Sequence, residues 1–175
     1  ETRKVLIDGW YYTGDKGYLT ENGDLVMTDR IKDLMKTSVG KYISPQKIEL
    51  VFTQDPYIEQ IIPIGDNCRF VTALIVPSFE MLKKEVERMN LQALNNAELI
   101  KQNQIIDFFQ SRINLLQEDF TPYEKVIKFR LLAEPFSIQS GALTNTLKVR
   151  RAKLIEQYKD LIEEMYSSYD KSLST

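Results

Sequence analysis

The sequence predicts an α+β domain, a small antiparallel sheet packed with helices, preceded by a separate β-hairpin. Three observations predict it. Short β-branched runs alternate with longer stretches whose apolar residues recur at helical spacing. Asn22-Gly23 sits between two strand-like runs, the strongest short-range hairpin signal. The polar, charged residues 29–33 then divide that hairpin from everything after it. The 175 residues, 43% apolar and 27% charged, suffice for one ordinary domain with an appendage.

Taken in order, residues 16–28 form the hairpin. If Glu21 faces Asp24, extending the ladder places Asp15 opposite Arg30, where Cβ atoms lie about 5 Å apart. A second pair runs through 34–37 and 41–43, turning at 38–40. Ser44 suits a helix cap and Pro45 the first helical position. The helix they open buries Ile48, Val51 and Phe52 and ends at Pro56. Strands over 58–64 and 69–76 follow. Pro77-Ser78 starts a helix to about residue 89. A longer helix spans about 96–118, with Leu99, Ile106, Phe109, Ile113, Leu116 and Phe120 on one face, and Thr121-Pro122 breaks it. A strand over 127–132 and a loop over 137–147 lead to a last helix, 151–166, burying Leu154, Tyr158, Leu161 and Met165.

The composition excludes several functions. The chain has no histidine, which removes the usual proton shuttle near neutral pH and any Ser-His triad within it. Its single cysteine, Cys68, cannot form an internal disulfide or a thiolate metal cluster. The net charge of −2 is spread evenly, unlike the basic footprint of a nucleic-acid binder. No apolar run approaches the roughly 20 residues of a membrane span. No signal peptide is evident and the first residue is Glu, so the chain is expected to be a piece of a longer protein.

Two groups of residues could carry chemistry. An ionised Asp15 is acceptor-only and can take two hydroxyl donors, as a cis-diol offers, while Arg30 presents a fixed fork suited to phosphate or ribose oxygens. The same pair could equally be a surface ion pair of small worth. Lys148, beside Gly141, Thr144, Asn145 and Thr146, is a compact charge suited to a phosphorus centre. It could equally be a solvated lysine at a helix start. There, however, it stands with Arg150 and Arg151, and three cations at a helix N-terminus ask for an anion.

The segments Tyr12-Thr-Gly-Asp15, Asp29-Arg-Ile-Lys-Asp33 and Leu143-Thr-Asn-Thr-Leu-Lys148, in this order, resemble the closing third of adenylate-forming enzymes. Phe120-Thr-Pro-Tyr-Glu-Lys125 and Tyr158-Lys-Asp-Leu-Ile-Glu-Glu-Met-Tyr166 resemble the long-chain fatty-acid–CoA ligases among them. The resemblance implies ATP-dependent activation of a fatty acid to an acyl-adenylate, then thioester formation with CoA. It assigns Asp15 and Arg30 to the nucleotide, Lys148 to catalysis of adenylation, and Lys32 to a hinge within 29–33. Lys36 and Gly40 fall on the loop that meets CoA. Residues 1–29 become the tail of an amino-terminal adenylation domain and 30–175 a mobile carboxy-terminal domain. ATP with Mg²⁺ and CoA are the implied cofactor and co-substrate, with the Mg²⁺ ligands in the absent amino-terminal part and no metal ligand here. The implied partners are that domain, ATP or AMP, a fatty acid and CoA, in the cytoplasm, with membrane contact through the substrate only. Asn145 stands where the family commonly has proline, and Val39-Gly40 where many relatives carry Gly-Gly. On this reading the chain alone is inactive. The alternatives are a non-catalytic interaction module, or the same fold serving another acid or acceptor such as a carrier-protein thiol.

Overall fold

The amino-terminal strands pair only with one another. β1 (Leu6–Ile7) and β2 (Trp10–Tyr11) form a two-rung ladder, and β3 (Asp15–Leu19) pairs antiparallel with β4 (Leu25–Arg30). The computed structural model describes residues 5–172; residues 1–4 and 173–175, the outer ends of the two expected parts, lie outside the described residues. Asp15 faces Arg30, as the sequence predicts, but by a different route. The hairpin loop has three residues rather than two. Gly23 N–H donates to Thr20 O at 2.9 Å, and within the loop only Gly23 takes a positive φ, +85°. This is a type I turn closed by a left-handed glycine. It sets the inner rungs one residue off the expected register, and an extra residue at Thr28 restores it. Thr28 Oγ1 donates to Lys16 O across that bulge at 3.1 Å. The two irregularities cancel.

A single 3₁₀ turn, Ile31–Asp33, leads out of the hairpin. β5 (Met35–Lys36) and β6 (Tyr42–Ile43) then pair antiparallel, their turn closed by Gly40 N–H donating to Thr37 O at 2.9 Å. Ser44 Oγ accepts from Lys47 N–H at 3.2 Å and Pro45 opens α1 (Pro45–Phe52), which buries Ile48 and Phe52.

The centre is a three-stranded sheet in the order β7–β8–β9, built from β7 (Ile58–Ile64), β8 (Val71–Pro77) and β9 (Val126–Leu131). β7 and β8 are antiparallel, as expected, whereas β9 lies parallel to β8. The α+β class holds with a mixed sheet. A parallel neighbour must be reached by a crossover, and residues 78–125 supply one as α2 (Phe79–Arg88), α3 (Asn96–Leu99) and α4 (Asn103–Leu116). The last two replace the single helix predicted over 96–118. Asn95 Oδ1 caps α3 by accepting from Glu98 N–H at 2.9 Å, and Gln102, extended at φ −72° and ψ 132°, breaks the backbone before α4. Phe109 and Ile113 are buried as predicted, but Ile105 takes the core place expected of Ile106, which is 37% exposed. The predicted last helix is likewise two, α5 (Arg151–Gln157) and α6 (Lys159–Ser172), broken at Tyr158. Leu154 and Met165 are buried as predicted, but Ile162 takes the core place expected of Leu161.

Both faces of the sheet are covered. Ile61, Val71, Ala73, Ile75 and Phe129 join a cluster with Ile48, Leu82, Phe109 and Ile113 on one side. Ile62, Ile64, Leu74 and Val76 join Leu154, Ile162 and Met165 on the other. Successive side chains of a strand point to opposite faces, so β8, buried on both, reads as an apolar run broken only by Thr72. Among the described residues no helix is long and apolar enough to cross a membrane.

Candidate functional site

The predicted pair meets at the mouth of the β3–β4 hairpin. Arg30 Nε lies 3.2 Å from Asp15 Oδ1. Asp15 N–H donates to Thr13 Oγ1 at 3.1 Å and Ile31 N–H donates to Gly14 O at 2.8 Å, fixing the backbone on both sides of the pair. Asp15 is only 27% exposed, whereas Arg30 is 68% exposed. An exposed pair of this kind adds little stability. It does leave a carboxylate with a second oxygen free for donors and a guanidinium reaching past it.

Arg30 and Lys32, from the hairpin's end and the turn after it, line one open groove with Lys148 from near the other end of the chain. Asp33, Gln46, Glu49, Asp66 and Arg151 complete its polar lining. Asp15 and Arg30, with Thr28 and Gln46, line a depression that adjoins it. Four of the six residues singled out by sequence are therefore gathered along one surface.

The loop that carries Lys148 folds back on itself. Leu143 bridges Val149, Thr144 N–H donates to Lys148 O at 2.8 Å, Lys148 N–H donates to Thr144 Oγ1 at 3.0 Å, and Arg150 N–H donates to Ala142 O at 2.8 Å. Lys148 is thus on the returning arm of a short hairpin-like loop rather than at a helix start. Leu147 turns that loop at φ +59°, a left-handed conformation that costs a non-glycine residue on the order of 1–3 kcal/mol.

The three-cation run also resolves differently than expected. Arg151 has its own anion: Nη2 lies 2.7 Å from Glu49 Oε1, and Nη1 donates to Pro63 O at 2.7 Å. Sequence reasoning missed this pair, and no local signal announces it, since the partners are 102 positions apart. Among the described residues the Lys32 and Lys148 ammonium groups have no ion-pair partner, so they remain the groove's uncommitted cations.

Lys36 and Gly40 do not line the groove. They lie on the β5–β6 turn, where the Lys36 ammonium sits 5.6 Å from the centre of the Tyr42 ring. Gly40 has φ +80°, and a Cβ there would meet nothing within 4 Å. Backbone angle rather than crowding demands glycine, and the space before it is open. Among the described residues no group of three His, Cys, Asp or Glu side chains is placed to hold a metal ion.

Residues 32–170 match the sequence profile of the AMP-binding enzyme C-terminal domain. The chain belongs to that family. Long chain acyl-CoA synthetase 2 of Arabidopsis thaliana is 29% identical to it over 177 residues, which cover 99% of this chain and 26% of that protein. Long-chain-fatty-acid–CoA ligase 5 of Rattus norvegicus is 33% identical over 177 residues, covering 97% of this chain and 25% of its own length. The A domain of a carboxylic acid reductase from Segniliparus rugosus, solved in complex with AMP and a co-purified carboxylic acid, matches the fold with a TM-score of 0.70. It is 26% identical, over 96% of this chain and 25% of that one. The chain spans about a quarter of the curated relatives it matches. The AMP-binding enzyme C-terminal domain accounts for the sheet, the helices on both its faces and the Lys148 loop; the β3–β4 hairpin precedes the matched residues.

Proposed function

We propose that this chain is the carboxy-terminal part of a long-chain fatty-acid–CoA ligase. Residues 1–29 are then the tail of its adenylation domain, and 30–175 a domain that swings about a hinge at 29–33. The observation that carries the reading is the convergence of Arg30, Lys32 and Lys148 on one groove, with Asp15 paired to Arg30 beside it. The family match beginning at residue 32, inside the exposed Ile31–Asp33 turn, supports the hinge. An exposed turn can change its backbone angles without disturbing a core. Trp10, Tyr11, Tyr12, Leu19 and Leu25 are each at least 60% exposed, a surface suited to packing on the rest of the enzyme.

In the first half-reaction a fatty-acid carboxylate attacks the α-phosphorus of ATP, giving acyl-adenylate and pyrophosphate. Asp15 accepts from the ribose hydroxyls, Arg30 donates to nucleotide oxygens, and Lys148 neutralises charge developing at phosphorus. In the second, the CoA thiolate displaces AMP while the turn bearing Lys36 and Gly40 replaces Lys148 at the reacting centre. We assign the magnesium ligands to the rest of the enzyme.

The test is fatty-acid-dependent ATP–pyrophosphate exchange on the full-length enzyme, wild type beside Lys148→Ala. Exchange that disappears with the lysine supports the reading. Exchange that survives makes Lys148 a surface residue, and none in the wild type leaves an interaction module. Acid- and CoA-dependent AMP release from the 175-residue chain alone would sink the claim that it is inactive by itself.

A further inference from the structure

The turn between β7 and β8 is tied to structure on two sides. On one side α6 holds both of its ends: the Tyr166 hydroxyl lies 3.3 Å from Ile64 O and 3.1 Å from Phe70 O, and Thr72 Oγ1 lies 3.3 Å from it. Because Tyr166 packs with the core cluster beneath the sheet, this end of the bracket is anchored to the body of the domain. On the other side the turn grips β5. Asp66 Oδ1 accepts from Lys36 N–H at 3.0 Å, Asn67 N–H donates to Lys36 O at 2.7 Å, and Ser38 N–H donates to Cys68 O at 2.9 Å. Both backbone groups of Lys36 are thereby held from outside its own hairpin, and so is the first residue of the 38–40 turn.

That grip is more than a two-rung ribbon needs for its own pairing. β5 and β6 share only the rungs Met35–Ile43 and Lys36–Tyr42, and Tyr42, Val39 and Gly40 stand exposed. A pair this short is not stable by itself. Met35 and Ile43 seat one rung of the pair in the core. Its exposed end, from Lys36 to Gly40, is fixed by what holds Lys36, and the one side chain in that hold which carries charge is Asp66. Asp66 also lines the groove. A single carboxylate thus stands between the surface used in one half-reaction and the turn used in the other.

We propose that Asp66 is a positioning residue for thioester formation: it fixes the Lys36–Gly40 turn against the domain body, so that one rotation about the hinge delivers the turn to the reacting centre. The inference rests on the proposed ligase function. Nothing in it requires Asp66 to touch CoA. Its carboxylate acts through the Lys36 amide, and a displacement of about 1 Å at a reacting centre is worth up to ~10²-fold in rate.

The experiment uses the full-length enzyme and compares wild type with Asp66→Ala and Asp66→Asn. Three quantities are read for each: ATP–pyrophosphate exchange, CoA-dependent thioester release from preformed acyl-adenylate, and hydrogen–deuterium exchange of the peptide spanning residues 34–43. In Asp66→Ala the ratio of thioester release to adenylation is expected to fall roughly ten- to a hundredfold, the effect of losing a charge-assisted hydrogen bond. The fall should be in kcat rather than in the KM for CoA, and the 34–43 peptide should exchange faster. Asp66→Asn keeps an acceptor and should recover most of the ratio. A ratio that does not move while the peptide loosens overturns the positioning role. Unchanged hydrogen exchange overturns the bracket itself. Equal falls in both half-reactions, with a lowered Tm, reduce Asp66 to a stabilising residue and also overturn it. Absence of fatty-acid-dependent exchange in the wild type instead removes the ligase reading, and this inference with it.

Discussion

Lys148 and Arg151 stand three residues apart and meet different fates. Arg151 is half-buried and spends its charge on Glu49 and on the Pro63 carbonyl, whereas Lys148 lines the groove uncommitted. Their substitutions should therefore separate. Lys148→Ala should leave the Tm unchanged and lower adenylation by ~10²–10³, about 2.7–4 kcal/mol, with far less effect on preformed acyl-adenylate; equal losses in both steps would contradict the two roles. Arg151→Ala should cost about 2 kcal/mol, a fall in Tm of roughly 4–8 °C for a domain of this size. A double-mutant cycle with Glu49→Gln should return most of that as coupling. Tyr166 gives a pH prediction. Burial, and after it the Cys68 thiol nearby, hold its hydroxyl well above the ordinary tyrosine range. The folded state then binds that proton more tightly than the unfolded chain. The resulting stability is complete below about pH 10 and is lost as pH rises beyond it. Tyr166→Phe should flatten that alkaline decline in chemical denaturation. At this scale the sequence placed Asp15 opposite Arg30, but did not show the three-residue loop and the bulge at Thr28 that cancel to give this pairing. It was silent on Leu147, since leucine has no preference for positive φ, and on Glu49 with Arg151, which only the tertiary fold brings together.

Among the elements, the helices were legible as helices but not as to where they break. The apolar spacing over 96–118 and 151–166 fits an unbroken helix, because one short interruption barely disturbs a 3.6-residue period. Gln102 and Tyr158 nevertheless leave helical geometry. Just after each break the buried residue is the neighbour of the one expected, Ile105 for Ile106 and Ile162 for Leu161, while Phe109, Ile113 and Met165 are buried as predicted. The exchange at α4 is directly testable. Ile105→Ala should destabilise by about 2–5 kcal/mol, as removal of a buried isoleucine does, while Ile106→Ala should cost well under 1 kcal/mol; the reverse order in thermal or urea melts would put Ile106 back in the core. The cap of α1 was legible in full, Ser44 and Pro45 being the residues that a helix start asks for. The hairpin turn was legible in kind and not in length, because Asn-Gly serves both the two-residue loop and the three-residue loop found here.

For the whole molecule, the sheet's order and the two-sided core were outside the reach of sequence. A buried strand looks alike whether its neighbour runs parallel or antiparallel, and only the crossover through α2, α3 and α4 decides it. The proposed boundary at 29–33 makes its own prediction: limited proteolysis of the chain should cut within 29–33 first and leave a stable product from about residue 34 onward. Protection of the hairpin with that segment intact would argue for one inseparable unit. The crossover has one more consequence, and it concerns time rather than place. During synthesis β8 is complete while residues 78–125 are still to be made, so its β9 side is bare throughout that interval. All seven residues of β8 end up buried, and none carries a charge. A nascent chain halted near residue 120 therefore presents an apolar strand with an unpaired edge, the arrangement most prone to join another chain. Ribosome-released chains ending there should aggregate or be held by chaperones, and chains extended through residue 172 should not.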